Sequence, residues 1–335
     1  MKTRSTEGPE LVFLLAASAL FHSFVFPFDR PMPGCSAQEW LLASIVATPL
    51  LCLLLVLYQR KTVERVRPRW FQGLMMGVLL LSLAMGLQEG QRFYSYALGS
   101  HLPLVWFLAL VLGVAAYGQS MSEGALGRAA QAVLALLAVS TVLLFVSVAG
   151  EMRSGPLLCC PLDQLDWIKA LQSRLLLRPE YLLLPLLSGT AQQQTQTRAE
   201  KQVILLPVLL LCVEGILALT LELVLGPSWR SQLQPVYLMA RLGRLSVFRR
   251  MDAWHLSVWI MLLFLRIALY VWAIARMARD ASHRRSRTRT FCLAALGALL
   301  LFGWVRQRSA ERVMMLQQGL LWVLLLAPLA WRKKE

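Results

Sequence analysis

Leu175-Leu-Leu-Arg178-Pro179-Glu180-Tyr181-Leu-Leu-Leu-Pro185-Leu-Leu-Ser188-Gly189 is apolar enough to enter a bilayer, yet Pro179 cuts it between two charges and Pro185 follows six residues later. Proline removes a backbone donor, and the carbonyls it frees need partners. At membrane depth such a break persists only where protein or a water-filled cavity surrounds it. Interrupted helices of secondary transporters present unpaired N–H and C=O groups to a polar solute at such places. Proline kinks that only shape packing are also common in membrane helices. The residues alone leave kink and binding site open.

The rest of the chain decides the class. Its 335 residues are 57% hydrophobic and 16% charged, with mean hydropathy +0.58, whereas a soluble globule is about 45–50% apolar. This composition specifies an all-α, polytopic membrane protein embedded in a lipid bilayer. The net charge of +16 does not imply a nucleic-acid partner, because the Lys and Arg residues cluster in short runs between apolar spans, as the positive-inside rule places them. The six cysteines lack metal-ligand spacing. Cys52, Cys212 and Cys292 lie in apolar segments, and the adjacent Cys159 and Cys160 read as free thiols because a vicinal disulfide is strained. No cleavable signal is expected.

A window of about 19 residues finds about ten spans in one transmembrane domain covering residues 1–335. The first, Leu11 to Phe28, carries His22 and Ser23 and is broken by Pro27. The second, Trp40 to Tyr58, ends on the basic run from Arg60 to Arg69. The third begins near Phe71 and passes Gln88 and Glu89. The fourth and fifth are Leu102 to Tyr117 and Ala129 to Val148. A loop with Asp163, Asp166 and Trp167 suits an amphipathic helix on the outer surface, and span six is the broken stretch. Span seven, Val203 to Leu225, holds Glu214 near its middle. A carboxylate facing lipid costs at least ~2.5–3.5 kcal/mol, so Glu214 is either a proton or ion site or a neutral side chain bonded to a neighbouring helix.

Pro235 to Arg250 mixes apolar residues with arginines, as an interfacial helix or re-entrant hairpin does. Span eight, Ala253 to Ala275, carries Arg266, for which Glu214, Glu180 and Glu89 are the available partners. A second basic run, Arg276 to Arg289, follows it. Spans nine and ten, Phe291 to Val305 and Val313 to Trp331, close the chain. Both termini and both basic runs fall in the cytoplasm when the span count is even.

With these features in order, the chain resembles the spore-germination permeases, the B subunits of nutrient germinant receptors, within the amino acid/polyamine/organocation transporter superfamily. Pro235 through Tyr270 carries most of the likeness: an amphipathic run, Pro-Val-Tyr-Leu-Met-Ala-Arg-Leu-Gly-Arg-Leu-Ser-Val-Phe-Arg-Arg-Met-Asp-Ala-Trp-His, leads into a span bearing Trp259, Arg266 and Tyr270. Ala37-Gln38-Glu39-Trp40, Gln88-Glu89 and Pro179-Glu180 are weaker matches. The chain departs from the family at Ala19 to Pro27, where a glycine-containing unwound segment is usual, and at Pro179, where glycine is. A divergent member is therefore implied.

The resemblance implies two inverted repeats of five helices, about residues 10–149 and 172–331, with helices one and six interrupted. It further implies a multi-pass protein of the cell membrane, in the spore's inner membrane, working with other germinant receptor subunits. A nutrient such as an amino acid would bind between the interrupted helices, at Ser18, His22 and Ser23 in the first break, Pro179, Glu180 and Tyr181 in the second, and Glu89 on span three. Glu214 and Arg266 are proton or ion-pair candidates. A proton-coupled amino acid permease titrating Glu214 or Glu180 is the alternative, and a non-transporting scaffold with a decayed pocket is a third. No cofactor or metal is expected. The four scattered histidines, with no HExxH, Walker A or GxSxG pattern, argue against an enzyme.

Overall fold

The computed structural model describes residues 9–25, 37–63, 69–98, 103–153, 167–188, 196–232, 234–243, 252–281, 287–308 and 310–330. Among these residues the regular structure is entirely helical. In the first half lie α1 (Pro9–Val25), α2 (Ala37–Val63), α3 (Arg69–Leu98), α4 (Leu104–Ser120) and α5 (Glu123–Val148). In the second lie α6 (Trp167–Arg174), α7 (Pro179–Ser188), α8 (Gln196–Leu225), α9 (Pro235–Leu242), α10 (Asp252–Ala281), α11 (Arg287–Gln307) and α12 (Ala310–Ala330). Six helices are long and apolar enough to cross a membrane, within α2, α3, α5, α8, α10 and α12, and three shorter apolar helices lie within α1, α4 and α11. The chain is a membrane protein on these grounds.

Burial separates the centre of the bundle from its rim. In α10 83% of the spanning window is buried, against 28% in α5, so α10 is the axis on which α1, α3, α4 and α5 pack. Trp259 and Tyr270 of α10 are among the largest fully buried side chains, together with Phe21, Phe24 and Phe93. The rim helices keep apolar residues on their outer faces: Ile45, Val46 and Leu53 on α2, Val139, Val142 and Val146 on α5, Leu205 and Ile216 on α8 are exposed. A bundle that is apolar both inside and outside is built for lipid. Close approach at the centre depends on small residues, since a methyl group on Gly118 of α4 would come within 2.7 Å of the Ala268 side chain of α10.

Local chemistry sets the helix ends. Ser122 caps α5 by accepting from the Ala125 amide at 3.3 Å. Beyond α8 the chain turns through Gly226, whose φ of 60° suits a residue without Cβ. There Glu222, buried, accepts from the Trp229 indole at 2.6 Å and from the Ala37 amide at 3.4 Å, tying the end of α8 to the start of α2.

Several expectations change here. The first helix runs without interruption from Pro9 to Val25, because Ala19 to Val25 contains no glycine or proline to open its backbone. Ser18, His22 and Ser23 therefore stand on continuous helix rather than in a break, and Pro27 lies outside the described residues. The stretch that the sequence points to is interrupted, but the helix before the break is α6, which begins upstream of that stretch. α6 turns one face inward, with Ala170 buried against Ala43 of α2, while Ile168 and Gln172 are exposed. Asp163, Asp166, Cys159 and Cys160 lie outside the described residues. Pro185 sits inside α7 without ending it. α9 folds into the protein with Pro235, Val236, Tyr237, Met239 and Ala240 buried; its Tyr237 hydroxyl donates to the Ala97 carbonyl at 2.9 Å. The arginines at 244, 249 and 250 lie outside the described residues.

Candidate functional site

Leu176, Leu177 and Arg178 are non-helical, with α6 ending before them and α7 beginning at Pro179. The dipeptide Arg178-Pro179 accounts for this. A residue before proline is pushed out of the helical region by the ring, and proline is tolerated in a helix's first turn, where its missing N–H would have no partner anyway. The exposed peptide groups are then matched from another helix. Gln318 of α12 accepts from the Leu177 amide at 2.8 Å and donates to the Leu177 carbonyl at 3.0 Å. One side-chain amide thus gives the broken backbone the pair of bonds that a neighbouring strand would give.

Charges gather on both sides of this break. Arg174, at the end of α6, donates to Glu214 Oε2 at 2.7 Å. Arg178 donates to Glu214 Oε1, to the Ala19 carbonyl at 2.8 Å and to Ser23 at 3.1 Å. Ser23 in turn donates to Glu214 at 2.6 Å. The Arg174 guanidinium also lies 4.1 Å from the ring centre of Trp40. Glu214 is therefore clamped by two arginines, an ion-pair arrangement rather than the alternative of a neutral side chain bonded to a neighbouring helix. With it, the two ends of the break are pinned to α8 and α1.

The second group lies one turn along. Glu180, in the first turn of α7, is buried and accepts from Ser18 at 2.7 Å and from the Tyr270 hydroxyl at 2.8 Å. Arg266 settles its choice of partner here: its Nη1 lies 3.5 Å from Glu89, its Nε 3.8 Å from Glu180 and 3.3 Å from the Tyr270 oxygen. Glu214 is not among its partners. Opposite stands His22, whose Nδ1 is 3.7 Å from Glu89 and makes no hydrogen bond.

Between these groups is a cavity of about 30 Å³, lined by Ala19, His22, Met85, Glu89, Leu177, Arg178, Pro179, Glu180, Arg266 and Gln317. Water-sized space of that extent holds about two waters. Of the residues expected at a site, His22, Glu89, Pro179, Glu180 and Arg266 line it. Ser18 and Ser23 do not; they fasten α1 to Glu180 and Glu214. Tyr181 packs into the apolar core, and Glu214 belongs to the clamp. Sequence reasoning missed Arg174, Gln317 and Gln318. The signal for the glutamines was present, two amides side by side within an apolar span. Both are used: Gln318 holds the broken backbone, while Gln317 lines the cavity and donates to Ser82 of α3 at 2.7 Å.

Fold and site together define a class: a helical membrane protein with a charged cavity beside a helix break at Leu176 to Arg178. Neither a family model nor a curated protein matches the chain.

Proposed function

We propose that this chain is a ligand-sensing membrane subunit of the spore-germination permease type, in which a small nutrient such as an amino acid occupies the cavity beside the broken helix. The observation that carries the proposal is the convergence on that cavity of α1, α3, α7, α10 and α12, with both cationic and anionic side chains and an interrupted backbone in its wall. A zwitterion needs such a wall, and a bundle whose parts meet at one cavity is suited to having its balance of conformations biased from there. On this proposal α1 to α5 and α6–α7, α8, α10, α11 and α12 are the two inverted repeats, ten crossings in all, with α9 folded against them. Partner receptor subunits would read the change.

In the permease alternative, which titrates Glu214 or Glu180, protonating Glu214 would have to loosen its bonds to Arg174, Arg178 and Ser23. Glu180 serves as a brace between α1, α7 and α10. The scaffold alternative draws support from the small volume of the cavity.

The test is thermal unfolding of the full chain in detergent against a panel of the amino acids. A ligand at a hundred times its Kd stabilises the folded state by about 2.7 kcal/mol. An upward shift with one or a few members, lost in Glu180→Gln, is the expected result. No shift across the panel would leave only the scaffold.

A further inference from the structure

The turn between α11 and α12 gathers positive charge. Arg306, Arg308 and Arg312 fall within seven residues against one glutamate, Glu311, so the turn carries a net +2. All three arginines are exposed, and among the described residues none has a carboxylate partner. Arg60, exposed at the end of α2, differs in being paired with Glu200. On the ten-crossing reading this turn lies on the face opposite the two basic runs, where the positive-inside tendency disfavours arginine. Topology therefore does not account for these charges.

Each helix carries an apolar stripe that leads away from the turn. Leu293, Leu296, Leu300 and Trp304 recur every three or four residues on one face of α11, and all are exposed. Arg308 stands over the Trp304 ring, 5.8 Å from its centre. Arg276 stacks on Trp272 at 5.4 Å in a similar way, but that ring is buried and belongs to the bundle. On α12, Arg312 heads a second exposed stripe of Met315, Leu316, Val323 and Leu326, which shares its helix face. Both helices pack on α3, α11 also on α10 and α12 also on α2, yet they make little contact with each other. They diverge from the turn.

A cationic end joined to two diverging apolar stripes has the outline of a diacyl phospholipid. An indole at the end of such a stripe sits at headgroup level in a bilayer, and guanidiniums bind phosphate through charged, often paired, hydrogen bonds. We propose that the α11–α12 turn holds an anionic phospholipid, its phosphate between Arg308 and Arg312, its acyl chains along the two stripes, and Arg306 adding to the positive field. A zwitterionic phospholipid offers the same phosphate but brings its own cation, so it leaves the charge of the turn unneutralised. The surface thus selects for headgroup charge, whatever the cavity beside the broken helix binds.

The full chain in detergent is titrated with dioleoylphosphatidylglycerol and, separately, with dioleoylphosphatidylcholine, and bound lipid is counted by native mass spectrometry. Tighter binding of phosphatidylglycerol is expected. A basic residue near an anionic membrane surface strengthens binding about fivefold, so Arg308→Gln together with Arg312→Gln should weaken phosphatidylglycerol about 20-fold and leave phosphatidylcholine unchanged. Arg128→Gln together with Arg153→Gln removes the same charge at two other exposed arginines and should alter neither affinity. Equal affinity for the two lipids in the unaltered chain overturns the proposal before any variant is made. So does an unchanged phosphatidylglycerol affinity in the Arg308→Gln, Arg312→Gln chain, or an equal loss in both double variants, which would reduce the effect to overall charge.

Discussion

α1 and the α6–α7 pair face each other across the cavity and build it by opposite means. α1 is an unbroken helix that offers side chains: Ser18 to Glu180, Ser23 to Glu214, His22 to the cavity. The α6–α7 pair gives up its helical bonds at Leu176 to Arg178 and has those of Leu177 replaced from α12. One wall is continuous helix and chemically specific. The other is held by a few identifiable bonds, so its shape depends on partners that can be removed singly.

Removing the clamp is the severest way to test that contrast. Glu214→Leu leaves the half-buried Arg174 and Arg178 beside an apolar group; breaking a fully buried pair costs about 3–5 kcal/mol, and a loss towards the lower end of that range is expected, read by thermal unfolding in detergent. Adding Arg174→Met and Arg178→Met to the same chain should return part of that stability. Recovery of nothing would mean that the arginines hold the break through contacts other than Glu214. A smaller loss, about 1.5–3 kcal/mol, is expected of Tyr270→Phe, which removes one hydrogen bond to the carboxylate of Glu180.

Gln318→Leu bears on the broken wall alone. It strips both bonds from Leu177 at about 1–3 kcal/mol, and amide exchange should accelerate at residues 176–178 while α1 stays protected. Equal acceleration in α1 would erase the distinction between the walls. The smallest effect belongs to Arg60→Ala, which removes a bidentate pair with Glu200 far from the cavity. Arg60 is 50% exposed, and such pairs are worth about 0–1 kcal/mol.

The helices were legible in the sequence because apolar length alone reports them: α2, α3, α5, α8, α10 and α12 each contain most of an expected span. The break before Pro179 was legible, since Arg178-Pro179-Glu180 violates what lipid tolerates. Its upstream limb was not, because α6 is short and polar and owes its place to packing on α2 and to the Arg174–Glu214 pair, which joins residues 40 positions apart. In the first span the expected break rested on Pro27, which lies outside the described residues; Ser18, His22 and Ser23, placed in that break, stand on unbroken helix, and the two serines are met by Glu180 and Glu214 rather than by opened backbone. Pairings of Arg266 could be narrowed to three carboxylates and no further, as helix rotation and tilt decide among them.

The bond between Gln318 and Leu177 joins residues 141 positions apart. At synthesis speeds of roughly 5–20 residues per second, about 7–28 s separate the emergence of the broken peptide from that of its partner. During that interval a nascent chain already threaded into the bilayer carries a bare amide and carbonyl. The insertion machinery or a temporary water must shelter them until α12 arrives.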